Sequence, residues 1–147
     1  MERVIDLDQA AAVIAERAAR WLAAGLTVGQ VTWMDATSPW PRQLETDRAL
    51  VCDPVSVGVL VSGPGDAGLS VVLFRGGWAD VDYFDGIDDG GPIPAFGITS
   101  AAAFGTQLDQ WVPRAFGNLG QSWRAGTSER PRLGDQPAET RCSPRAR

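Results

Sequence analysis

The chain is predicted to adopt an α+β fold, a short antiparallel meander of three to four strands with two helices packed on one face. Three observations predict it. Two runs of branched and aromatic residues, Leu69 to Arg75 and Trp78 to Asp85, meet at Gly76-Gly77, a strong short-range signal for a two-residue hairpin. A plain alternating run, Val55 to Ser62, precedes them, and an amphipathic helical run stands at either end of the strand region.

In chain order, Asp6 with Gln9 three residues later reads as a helix N-cap with a capping-box partner. Ala10, Ile14, Ala18, Trp21 and Gly25 then recur at helical spacing, with Gln9, Glu16 and Arg20 opposite them and Gly25 as the C-cap. A small alanine face of this kind suits close packing on a sheet. Val28 to Met34 alternates in part and reads as a first strand. Pro39 and Pro41, on either side of Trp40, then forbid both helix and central strand. Val55, Val57, Val59 and Val61 alternate with Ser56, Gly58, Leu60 and Ser62 as a half-buried strand.

With Gly76 and Gly77 as the two loop residues, Arg75 faces Trp78, and pairs run from Phe74/Ala79 to Leu69/Phe84. This register puts Phe74, Ala79, Val72, Val81, Ser70 and Tyr83 under the helices. The other face would hold Leu69, Val71, Leu73, Trp78 and Phe84 with Asp80, Asp82 and Arg75, too apolar for plain solvent and too charged for a dry core. A slip of one residue would exchange the faces. Gly86 to Gly97 reads as a loop by every local rule. Thr99 or Ser100 caps a second helix in which Phe104, Leu108, Trp111 and Ala115 share a face, with Pro113 expected to kink or end it. The globular domain is expected over residues 1–123. Residues 124–147, rich in Arg and Pro with almost nothing to bury, are expected to be a disordered tail.

At 147 residues the chain can bury a core without metal or disulfide support. Charge is unevenly placed: residues 1–123 hold 7 Arg against 15 Asp plus Glu, whereas 124–147 hold 6 Arg against 3 acids. An acidic body argues against nucleic acid as partner and suits a basic protein. There is no His and no Lys, which excludes Ser-His-Asp and Cys-His catalysis, Schiff-base lysines and the phosphate-binding lysine loop. A carboxylate pair of the glycosidase kind needs a substrate cleft for which so short a chain has little room. No catalytic residue and no cofactor is therefore predicted. Two Cys, no basic and apolar leader, and no apolar run of ~18 residues predict a soluble cytoplasmic protein without membrane contact.

Asp80, Asp82, Asp85, Asp88 and Asp89 are five acids within ten residues. They read as a solvated strand edge, as a contact for a basic protein, or as oxygen ligands for a divalent cation, although the spacing is not that of an EF-hand. Trp21 and Trp111 are predicted to be core. Trp40, between its prolines, and Trp78, on the mixed face, are the interface candidates. The predicted partner-binding set is thus Asp80, Asp82, Trp78, Asp85, Phe84 and Trp40, with a metal or small-molecule module built on the Asp80 to Asp89 carboxylates as the alternative.

In build and composition over residues 1–123, including the late Trp123, the chain resembles immunity proteins of bacterial polymorphic-toxin systems. That resemblance implies a non-enzymatic binding protein whose partner is a secreted toxin, its active site or substrate groove blocked. It carries over no site residues.

Overall fold

In a computed structural model, which describes residues 2–85 and 89–117, helix α1 (Leu7–Ala23) is followed by strands β1 (Thr27–Val28) and β2 (Thr32–Asp35). A single 3₁₀ turn (Arg48–Leu50) leads to strands β3 (Pro54–Ser62), β4 (Ala67–Phe74), β5 (Trp78–Asp85) and β6 (Asp89–Ile93). Helix α2 (Ala101–Phe116) closes the described chain. The sheet is antiparallel, in the order β1-β3-β4-β5-β6, with β2 also pairing β3. Among the described residues it has six strands rather than three to four. The expected disordered tail and residues 118–123 of the expected domain lie outside the described residues, as do Gly86, Ile87 and Asp88.

The helices begin and end where local chemistry dictates. The Asp6 carboxylate accepts from the Asp8 and Gln9 amides, and Gly25 follows the α1 C-cap with φ of 89°. Ser100 caps α2 by accepting from the Ala103 amide. Pro113 does not end that helix, which runs on to Phe116. The proline sits on the solvent side within the last turn, where its missing N–H frees only one carbonyl.

Both helices pack on one sheet face. Ala10, Ile14 and Trp21 of α1 and Phe104, Leu108, Trp111 and Val112 of α2 share a core with Val57, Val59, Val61, Leu69, Val71, Leu73, Ala79 and Val81. The helices also join through the Arg17–Asp109 ion pair, with Nε to carboxylate at 2.8 Å.

The hairpin register differs by one residue from the two-glycine expectation. Phe74 faces Trp78, Leu73 faces Ala79, Val71 faces Val81 and Leu69 faces Tyr83. The loop therefore holds three residues, Arg75, Gly76 and Gly77, with Gly77 alone at positive φ (91°) and its amide donating to the Phe74 carbonyl. Arg75 leaves the mixed face. Its amide donates to Val55, its carbonyl accepts from Val4 and Ile5, and its guanidinium binds Asp53 at 2.8 Å.

The consequence is that β4 is turned over. Leu69, Val71 and Leu73 point to the helices, while Ser70, Val72 and Phe74 point away. The β5 assignment keeps its expected sides. The cause is burial, because the two-residue loop would leave three large aliphatic side chains in water at ~1.5–3 kcal/mol each. Gly77 permits this loop, since a Cβ there would stand 2.7 Å from the Ile98 carbonyl oxygen at a φ that L-residues avoid. Gly77→Ala is expected to cost about 1–3 kcal/mol, read as a lowered thermal midpoint.

Strand β6 occupies part of the predicted loop. Ile93 faces Val81, and the Ala79 amide donates to the Ala95 carbonyl, so pairing extends beyond Ile93. Residues 93 and 95 bond inward to β5, which leaves the nitrogens of Pro92 and Pro94 toward the free edge, the one place in a sheet where a missing N–H costs nothing. The two prolines thus permit the strand and also blunt its edge.

Candidate functional site

On β5, alternation buries Ala79 and Val81 against the helices and sends Trp78, Asp80, Asp82 and Phe84 to the face opposite α1 and α2. Asp80 and Asp82 are both exposed there, with Cα positions about 6.6 Å apart along the strand. The Trp78 ring stacks on Phe74 directly across the hairpin, centroids 3.9 Å apart and planes 12° from parallel. Phe84 is 39% exposed, and its ring lies over Gly68, where a Cβ would come within 2.2 Å of it. A glycine there lets the aromatic ring lie flat on the backbone.

Continuing the β5–β6 register sets Pro92 beside Asp82, Pro94 beside Asp80 and Phe96 beside Trp78. These residues line an open groove of about 300 Å³, with Phe96 80% exposed at its rim. Val72, Ser70 and the exposed Leu60 continue the face toward β3. The surface therefore joins two carboxylates to a shelf of aromatic and proline rings.

Its charges are uncommitted. Among the described residues the ion pairs are Arg3 and Arg75 with Asp53, Arg17 and Arg20 with Asp109, and Arg48 with Asp8, and none uses Asp80 or Asp82. The Arg48 guanidinium beside Asp8 holds that carboxyl below the usual range against a smaller opposing effect of burial. A second cavity, of about 390 Å³, lies at the start of α1 between Arg3, Asp6, Asp8 and Arg75. Its Arg3, Asp8 and Arg75 already neutralise partners within the chain, so it offers less to a ligand.

Of the predicted set, Trp78, Asp80, Asp82 and Phe84 come together and two residues do not. Asp85 alternates to the helix side, at the end of β5, where it accepts from the Tyr83 hydroxyl at 3.3 Å. Trp40 is 86% exposed but belongs to the excursion after β2, three strand spacings or about 14 Å from β5 across the sheet. The side chains of Asp88 and Asp89 lie outside the described residues. Among the described residues no three His, Cys, Asp or Glu side chains group as a metal site.

Phe74, Pro92, Pro94 and Phe96 belong to the surface and were absent from the predicted set. The signal for the last three was the alternation Pro92-Ile93-Pro94-Ala95-Phe96, with Ile93 and Ala95 buried between exposed neighbours. Among the described residues no helix is long and apolar enough to cross a membrane. No family model, curated protein or solved structure matches this chain.

Proposed function

We propose that this protein is a non-enzymatic binding protein that captures a basic protein partner on its open sheet face. In this reading it acts in the bacterial cytoplasm as an immunity protein and occludes a toxin. One observation carries the reading: among the described residues Asp80 and Asp82 make no ion pair, and they stand beside Trp78, Phe84 and Phe96 on a face that neither helix covers. Buried carboxylates would cost desolvation and paired ones would have nothing to give. Exposed carboxylates next to aromatic rings provide long-range attraction followed by apolar contact, the combination that steers association and then holds it. Arginine is the side chain best matched, because its guanidinium both donates a forked pair of hydrogen bonds to a carboxylate and stacks on rings.

A deca-arginine peptide tests the surface. Its affinity at low salt is expected to fall about tenfold in Asp80→Asn/Asp82→Asn. Glu2→Gln/Glu16→Gln, which removes the same charge from exposed positions in the N-terminal segment and on α1, is expected to leave it within about twofold. Equal losses in both variants would reduce the face to unspecific acidity. The toxin reading is tested separately by mixing the protein with the product of the gene next to its own. A complex lost in the Asp80→Asn/Asp82→Asn variant supports it, and no complex removes it.

A further inference from the structure

We propose that the first occupant of the open face is the chain's own arginine-rich C-terminal segment, residues 124–147, which an external partner must displace. The inference rests on the reading of that face as a binding surface. Charge is the first argument. The segment carries 6 Arg against 3 acids, whereas the body before it carries 7 Arg against 15 acids. Every ion pair among the described residues consumes its arginines elsewhere, so the Asp80 and Asp82 carboxylates remain available to cations from outside the described fold.

The exit point of the chain is the second argument. Helix α2 ends with the Phe116 ring against Gly63, where an added Cβ would be 2.7 Å from it. Gly63 belongs to the turn between β3 and β4, at the end of the sheet where Gly68 and Phe84 begin the open face. From Phe84 to Asp80 is four residues of strand, about 13 Å. Thirty residues follow Gly117, and each adds up to about 3.5 Å of reach. Tethering makes the encounter intramolecular, at an effective concentration of order millimolar, so individually weak arginine contacts suffice. A symmetric pair of copies joined through this face is disfavoured by the same charges, because it would set the acidic surface of one copy against that of the other.

The test uses the full chain. Cys142, inside the segment, carries a spin label in a Cys52→Ser background, since Cys52 is exposed and would also react. Amide signals of Asp80 to Phe84 and of Phe96 are expected to broaden at low salt and to recover in Asp80→Asn/Asp82→Asn or in about 0.5 M salt, where charges are screened beyond ~4 Å. Broadening spread evenly over the surface, or confined to the helix side, would overturn the proposal. So would broadening of an unlabelled isotope-enriched copy mixed with labelled protein, which would make the occupant a second copy.

Arg130→Gln/Arg132→Gln/Arg141→Gln separates this inference from the reading beneath it. If the segment masks the face, removing its charges is expected to tighten deca-arginine binding about threefold or more, because a larger fraction of the protein is then competent to bind. Unchanged affinity in this variant, with binding still lost in Asp80→Asn/Asp82→Asn, would discard the self-masking and leave the binding surface standing. Deca-arginine binding that ignores the face carboxylates as well would discard both.

Discussion

Val71→Lys is expected to abolish cooperative folding, whereas Ser70→Lys, one residue earlier on the same strand, is expected to stay folded within about 1 kcal/mol of the parent. Val71 is 1% exposed and lies in the core opposite Val81. An ammonium there has no carboxylate to meet and would cost several kcal/mol, comparable to the whole ~5–15 kcal/mol stability of a domain. Ser70 stands on the open face directly across from Asp82, where a cation gains an exposed partner. Circular dichroism and urea unfolding of the two variants read the outcome. A two-residue glycine loop would exchange the two results, so the pair tests the register itself. Ser70→Lys should also weaken deca-arginine binding, since its ammonium neutralises the Asp82 carboxylate that the face offers to a partner.

Asp35→Asn is expected to cost about 2–4 kcal/mol, a fall of about 1–2 M in the urea midpoint. Asp35 is 5% exposed at the end of β2, and its carboxylate accepts from four donors. Oδ1 takes the Thr37 amide at 2.9 Å, the Thr37 hydroxyl at 2.8 Å and the Asp53 amide at 3.1 Å, while Oδ2 takes the Cys52 amide at 2.7 Å. This one side chain ties the turn after β2 to the entry of β3 and so closes the excursion between them. An amide in its place turns one acceptor into a donor aimed at an N–H that still needs a partner.

The pH dependence follows from the same contacts. Burial pushes the Asp35 carboxyl up, but the hydrogen bonds from Cys52, Thr37 and Asp53 outweigh it and hold the group below its ordinary value. A depressed folded-state value means that its stabilisation is present above the unfolded value near ~3.9 and is lost as pH falls through the folded one. The parent is therefore expected to lose stability on acidification below about pH 4 more steeply than Asp35→Asn does, as urea titrations across that range would record.

None of this role could be read from the sequence, where Asp35 is an isolated acid before a proline-rich stretch. Thr37 is a local partner, but the contacts that tie β2 to β3 come from the Cys52 and Asp53 amides, 17 and 18 residues away, and backbone amides carry no side-chain signature. Phe96 and the two prolines of the β6 edge left only the alternation of residues 92–96 as a trace, which the turn chemistry around it overrides. Local rules make Gly-Gly-Pro-Ile-Pro a loop, and only pairing with β5 reveals that both prolines turn their nitrogens outward.

What the sequence determined by itself is what short-range chemistry controls. The caps at Asp6 and Ser100, the helix faces through Ile14 and Phe104, the α+β class, and the outward position of Trp78, Asp80, Asp82 and Phe84 all follow from capping and from helical or alternating periodicity. Tertiary structure decided the rest. A strand's two sides are distinguished only by what packs on them, and the Arg75-Gly76-Gly77 stretch can close as a two-residue or a three-residue loop. Burial of Leu69, Val71 and Leu73 against the helices chose between those loops. That choice placed Phe74 beneath Trp78 and sent Arg75 to Asp53, and so set which rings and which charges share the open face.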